Sequence, residues 1–189
     1  MTETPNPHIV SADTLTGEMR PVRRAVLALG SNLGERMFSL QGAVDAISDT
    51  PDVWITAVSP VYESEPVDAP EGSRNFLNAV VLVDTTLPAT RLLDRALAIE
   101  DAYDRDRSVI RNAPRTLDVD LIVVGERRND DDVLKLPHPQ AAERAFVLQP
   151  WHDLEPDAVL PDAGPIADLL QQVDRSILSK RDDLVLETR

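Results

Sequence analysis

Two aspartates inside an otherwise apolar run constrain this chain more than any other feature. Residues 117–124 read Leu-Asp-Val-Asp-Leu-Ile-Val-Val, the pattern of a buried strand. Side chains on a strand alternate faces, so Asp118 and Asp120 share one side while Leu117, Val119 and Leu121 take the other. Two neighbouring carboxylates on a buried sheet repel each other and resist desolvation unless a cation lies between them. Oxygen ligands with no Cys or His nearby suit a hard ion, Mg²⁺ or Mn²⁺. Arg111 and Arg115, just upstream, suit the phosphate groups that such ions accompany. A bare Asp-x-Asp also fits a solvated strand face with surface ion pairs. The Arg-x-x-Pro-Arg approach and the apolar alternation favour the cation.

The rest of the chain supplies partners for that strand. Residues 1–22 are polar and aperiodic, with Pro5, Pro7, Gly17 and Pro21, and predict a flexible leader to a single domain over 23–189. Ala25–Leu29 reads as a short apolar strand. Met37, Leu40, Val44 and Ile47 then recur at helical spacing. A strand is expected over Val53–Val58, interrupted by Pro60 and resumed at Val61-Tyr62. A long loop over 64–74 leads to a strand from Phe76 to Val83. Pro88 opens a second helix, with Leu92, Ala96, Ile99 and Tyr103 on its apolar stripe. A charged loop over 104–114 precedes the 117–124 strand. Beyond it the sequence suggests a hairpin turn over Gly125–Asp132 into Val133–Leu136 and a short turn or helix after Pro137. A Pro-punctuated stretch then leads to a last helix near Ile166–Val173. The order β-α-β-β-α-β predicts an α+β ferredoxin-like sandwich, a largely antiparallel sheet with helices packed on one face.

Composition narrows the function. A formal charge of -14 argues against nucleic acid or an anionic membrane as partner, although a local arginine cluster at 105, 107, 111 and 115 can still govern a nucleotide pocket. With no cysteine, disulfides, Cys-ligated zinc and thiol chemistry are excluded, and a reducing cytoplasm fits. Without an apolar h-region or a long apolar span, secretion and membrane insertion are not expected.

Other residues have chemistry to offer. Gly30-Ser-Asn-Leu-Gly34 joins a strand to a helix but lacks the lysine of a phosphate loop and the third glycine of a dinucleotide fingerprint. It reads as a tight turn with Asn32 as a local cap. Asn78 shares a strand face with Phe76, Val80 and Leu82, so its amide needs partners: backbone in a core role, or a ligand edge offering a donor and an acceptor. Glu100, near the end of the second helix, gains nothing from the helix dipole and fits a surface pair with Arg107 or another nearby arginine. His138, held between two prolines, and Arg144 could both reach phosphate oxygens.

Arg-x-Ala-Pro-Arg-x-x-Asp-Val-Asp-Leu-Ile over 111–122 resembles the signature of the 6-hydroxymethyl-7,8-dihydropterin pyrophosphokinase family of folate biosynthesis. Leu29-Gly-Ser-Asn-Leu-Gly34, Phe76-Leu-Asn-Ala79, Leu136-Pro-His-Pro139 and Arg144-Ala-Phe146 agree in order, so the resemblance runs from about Arg24 to Pro161. It implies the same sandwich and transfer of pyrophosphate from ATP to the hydroxymethyl group of the pterin, giving AMP. Two Mg²⁺ ions would sit on Asp118 and Asp120, with Arg105 and Arg115 neutralising charge on the transferred group. Glu100, Arg107, Arg111, His138 and Arg144 would hold the nucleotide. Ser64, Val67, Phe76, Asn78 and Phe146 would hold the pterin. Contact with neighbouring folate-pathway enzymes is a further implication.

Four positions depart from the family's pattern. Asn112 replaces a usual aromatic, Ala113 a glycine, Glu65 a proline, and Leu97 a polar adenine contact found in some relatives. These bear on affinity and loop closure more than on reaction type. The rivals are a non-catalytic ferredoxin-like module that binds a small anion, and a metal-dependent nucleotide hydrolase that uses the same aspartates without a pterin pocket.

Overall fold

The computed structural model describes residues 10–12, 19–66, 72–103 and 116–188. Where a leader is expected, β1 (Val10–Ala12) and β2 (Met19–Pro21) pair antiparallel as a short ribbon. The main sheet begins with β3 (Arg23–Ser31), followed by α1 (Arg36–Ser48), β4 (Val53–Val58), β5 (Tyr62–Ser64), β6 (Phe76–Thr85), α2 (Ala89–Ala102) and β7 (Asp118–Val124). Its order is β12-β5-β6-β3-β7, with β12 (Leu178–Lys180) from the C-terminal segment, and β4 also pairs with β6. Every pairing is antiparallel. The α+β class and the antiparallel sheet therefore stand.

Strand alternation sorts the core into two layers. Ala25, Leu27 and Leu29 of β3, Leu77, Val81 and Val83 of β6, and Val119 and Leu121 of β7 meet Leu40, Val44 and Ile47 of α1 and Leu92, Ala96 and Ile99 of α2. Val26, Ala28, Val80, Leu82 and Ile122 face the other way. There they meet Val147, Leu148 and Trp151 of α3 (Ala145–Leu154) and Ile166 and Leu169 of α4 (Ile166–Leu169). Helices thus cover both faces, correcting the expectation of one. The alternate residues of β3 and β6 are apolar on both sides, and a sheet so built must be covered twice.

The differences lie mainly past residue 125. The ribbon there is β8 (Asn129–Asp130) with β9 (Lys135–Leu136), so its turn falls over 131–134 rather than 125–132. Asp131 closes that turn by accepting the backbone N–H groups of Val133 and Leu134. A 3-10 turn, Ala141–Glu143, leads into α3, a full helix where the prolines suggest little regular structure. A second small ribbon, β10 (Val159–Leu160) with β11 (Gly164–Pro165), precedes α4, which is shorter than the helix expected to Val173.

Candidate functional site

β3 lies between β6 and β7, and its register puts the polar residues of both neighbours in rows. Gly30 pairs with Asn78 on one side and Asp118 on the other; Ala28 pairs with Val80 and Asp120. Asn78, Asp118 and Asp120 therefore open on the face that α3 covers, and glycine between the first two leaves a floor. A Cβ on Gly30 would stand 3.6 Å from Asn78 Oδ1, 3.7 Å from Phe76 Cδ1 and 3.9 Å from Asp118 Cβ. Gly30 is thus not the start of a turn, as its sequence context suggests, but part of the strand. A glycine inside an apolar strand is itself a sign of close approach by a ligand or backbone, and that signal is present in the sequence.

Asn78 is buried and donates from Nδ2 to Ser64 Oγ at 2.9 Å, with the Tyr62 carbonyl at 3.5 Å. Ser64 is buried beside it, because β5 pairs with β6 through Tyr62–Asn78 and Ser64–Phe76. Ser64, Phe76 and Asn78 thus come together. Asn32 does not cap α1: its amide reaches the Arg74 carbonyl at 3.3 Å, and Glu35 stands at the helix start with no side-chain cap bond.

On the other side of the floor, Arg144 precedes α3 and reaches three groups. Its guanidinium donates to Asp120 Oδ2 at 3.3 Å and to Gln140 Oε1 at 2.5 Å, and it lies 5.6 Å from the centre of the Phe146 ring. Nothing in the sequence singles out Gln140. His138 is fixed by its backbone N–H to the Ile122 carbonyl at 2.9 Å, and its Nδ1 accepts the Gln140 N–H at 3.2 Å. Burial and the Arg144 charge lower the imidazole pKa to about 4, against an opposing pull from Asp118. The ring is neutral at ordinary pH, and with Nδ1 an acceptor its proton sits on Nε2.

Glu100 is not at the surface. It is 1% exposed, and its Oε1 accepts the Val119 N–H at 2.8 Å, between the two aspartates. The side chain points into the α2–β7 packing rather than to solvent, where the sequence places it. Val67, Arg105, Arg107, Arg111 and Arg115, with the departures Asn112 and Ala113, lie outside the described residues.

Among the described residues no three His, Cys, Asp or Glu side chains gather as a metal cluster. Asp118 and Asp120 nevertheless fit Mg²⁺, which commonly takes one or two carboxylates and completes its shell with substrate phosphates and water. A concavity of about 540 Å³ lies elsewhere, by the start of α2, lined by Arg20, Thr86, Pro88, Arg91 and Arg95; Arg91 there is exposed and paired with Asp94.

The fold and these rows define a class: an α+β sandwich carrying paired carboxylates, a caged arginine and a neutral histidine beside an amide-lined floor. Known proteins narrow it. The family model for 7,8-dihydro-6-hydroxymethylpterin-pyrophosphokinase (HPPK) matches residues 26–156. The 2-amino-4-hydroxy-6-hydroxymethyldihydropteridine pyrophosphokinase of Pseudomonas aeruginosa is 43% identical over 149 residues, covering 79% of this chain and 91% of that one. The Mycobacterium tuberculosis protein of the same name is 39% identical over 164 residues, 80% of this chain and 84% of that one. Among solved structures, wild-type Plasmodium falciparum HPPK-DHPS with pterin and p-hydroxybenzoate superposes with a TM-score of 0.64 at 15% identity. The match covers 84% of this chain and 44% of that one. The chain belongs to the HPPK family, as its motifs suggest.

Proposed function

We propose that this chain transfers the terminal pyrophosphate of ATP to the hydroxymethyl oxygen of 6-hydroxymethyl-7,8-dihydropterin. The pterin oxygen bonds to the β-phosphorus, the bond from that phosphorus to the α-phosphate oxygen breaks, AMP leaves, and the hydroxyl proton is released. The observation that carries this reading is the single row Asn78–Gly30–Asp118, which puts an amide-lined floor next to a carboxylate pair. A hydrolase of nucleotides needs the carboxylates and not the floor. A binding module needs neither.

Ser64, Phe76, Asn78 and Phe146 with Val67 form the pterin side of the site in this proposal: the amide and hydroxyl read the polar edge of the ring, and the aromatics take its face. Asp118 and Asp120 would hold two Mg²⁺ ions, which would supply charge neutralisation at the phosphate oxygens. Arg144 is a counter-charge for Asp120 while the nucleotide is absent, and turns to a phosphate when it arrives. Neutral His138 presents its Nε2–H as a donor that carries no charge to be desolvated. Arg105 and Arg115 neutralise the transferred group; Arg107 and Arg111 complete the nucleotide side, and Glu100 bears on it from behind, through its bond to the Val119 N–H.

The same proposal takes the sheet and its first two helices as a ferredoxin-like sandwich. It takes 23–189 as one catalytic domain behind a leader over 1–22, and the cytoplasm as its place. No helix among the described residues is long and apolar enough to cross a membrane. The Plasmodium chain is an HPPK-DHPS, and contact of this protein with a neighbouring folate enzyme is a matching proposal.

Calorimetry tests the carboxylates. ATP should bind far more weakly without Mg²⁺, because ATP⁴⁻ alone is repelled by Asp118 and Asp120. Asp118→Asn and Asp120→Asn should shrink that dependence and abolish turnover. Equal ATP affinity with and without Mg²⁺ in the unaltered protein contradicts the assignment.

A further inference from the structure

Among the described residues β7 ends the sheet, paired with β3 alone. An edge strand turns alternate N–H and C=O groups away from its neighbour, and these need other partners. Among the described residues the chain supplies them at several points on β7, two of which flank the site. The Ile122 carbonyl takes the His138 N–H at 2.9 Å. The Val119 N–H goes to Glu100 Oε1 at 2.8 Å, from a carboxylate buried to 1% exposure inside the α2 packing. A carboxylate is an expensive residue to bury, and one serving only to fill space would be a leucine or methionine. Val119 is the residue between Asp118 and Asp120, so whatever fixes its backbone fixes where both carboxylates point.

We infer that Glu100 is a positioning residue: it clamps the free edge of β7 at Val119 and thereby sets the spacing of the Asp118 and Asp120 carboxylates for the cation. This extends the reading of those aspartates as cation ligands and rests on it. It gives Glu100 a role through the strand rather than through contact with the nucleotide. A charge-assisted bond to a backbone N–H is stronger than a neutral one, which suits a clamp on a strand that pairs with a single neighbour among the described residues. A strand left loose at Val119 would let the two side chains swing independently. The cost would fall on cation binding and the chemical step, with little effect on pterin affinity across the floor at Asn78.

Three variants and one isotope experiment test this. Mn²⁺ binding, read by paramagnetic resonance with a non-hydrolysable ATP analogue, should weaken about 10–100-fold in Glu100→Leu, the usual cost of losing a supporting partner behind metal ligands. Glu100→Gln keeps an oxygen acceptor at the same reach and should restore Mn²⁺ affinity to within about threefold of the unaltered protein, the margin left by exchanging a charged acceptor for a neutral one. The KM for the pterin should stay unchanged in both. In the unaltered protein the Val119 amide should exchange with D₂O as slowly as those of the β3–β6 ladder, although its partner is a side chain and not a strand. In Glu100→Leu, protection should fall at residues 118–120 and persist in β3 and β6.

Glutamine and leucine variants equally impaired would mean that the charge itself touches nucleotide or metal, overturning the inference. So would unchanged Mn²⁺ affinity in Glu100→Leu. If that variant does not fold, fast exchange at Val119 in the unaltered protein suffices to overturn it. Asp118→Asn separates the layers. Failure of the unaltered protein to bind Mn²⁺ at all would sink the reading of the aspartates. Binding in the unaltered protein that is lost in Asp118→Asn and untouched in Glu100→Leu would sink the positioning role alone.

Discussion

On the proposed reading of the site, Gly30 is where a single methyl group separates folding from binding. A Cβ at this position would meet its three nearest atoms at 3.6–3.9 Å, ordinary contact distances, so Gly30→Ala fits the strand. Alanine also costs less conformational entropy than glycine in a strand, by about 0.5–1 kcal/mol. The variant should melt at or above the temperature of the unaltered protein. It should nonetheless bind the pterin at least about tenfold more weakly, since a misfit of roughly 1.4 kcal/mol has that effect. ATP affinity should hardly move. Equal loss of both ligands would mean that the floor does not belong to the pterin.

His138 makes a prediction about pH with a definite sign. Its pKa, lowered to about 4 by burial and Arg144, lies below the ordinary histidine value of 6.5. Between those values the unfolded chain takes up a proton that the folded protein refuses, so stability falls as pH drops from 6.5 towards 4. Above that window the group contributes no slope. His138→Gln should therefore flatten the melting temperature within the window and leave it parallel above; an unchanged slope would count against a buried neutral ring. Much of this residue scale is open to sequence reasoning. Asp118, Asp120 and Asn78 stand out because a polar side chain at an apolar alternation point has few explanations. Glu100 misleads, because the helical stripe Leu92, Ala96 and Ile99 does not reveal which flanking residue turns inward.

Among the elements, α1 meets the residue that ends α2 at one close contact. Gly42 of α1 lies under the Tyr103 hydroxyl, and a Cβ there would fall 1.6 Å from that oxygen. The Tyr103 ring must swing out to admit alanine. Gly42→Ala should destabilise the fold by about 1–3 kcal/mol, the usual range for overpacking. Adding Tyr103→Leu should recover most of the melting temperature. An unaltered melting temperature in the single variant would show the contact to be idle. The main-sheet strands β3, β4, β6 and β7 and helices α1 and α2 are readable in the sequence because each has an apolar period of its own kind. α3 is not, since Pro150 lies inside it and proline removes a bond and crowds the preceding turn. Burial of Val147, Leu148 and Trp151 outweighs that local cost. β12 is also hidden: three residues, mostly exposed, join the sheet only through the facing Tyr62–Ser64 edge. Glu63 beside that edge holds Arg36 of α1 at 2.7 Å and Arg181 at 2.9 Å, tying the C-terminal segment to the first helix.

For the whole molecule, the two apolar layers lie on one antiparallel sheet, and at one end of it polar side chains of β5, β6, β7 and the start of α3 come together. That end holds the row Asn78–Gly30–Asp118, and it is where an acidic chain of net charge -14 has to welcome a polyanion. On the proposed reading, counter-charge from metal and from local arginines makes that possible, whatever the sign of the whole surface. What becomes of the three phosphates is therefore decisive. The direct measurement is the nucleotide product formed from ATP, Mg²⁺ and 6-hydroxymethyl-7,8-dihydropterin, resolved by ion-exchange chromatography. AMP should appear one-for-one with pterin pyrophosphate, and only when the pterin is present. ADP, free phosphate, or AMP formed without the pterin would contradict pyrophosphate transfer at this site.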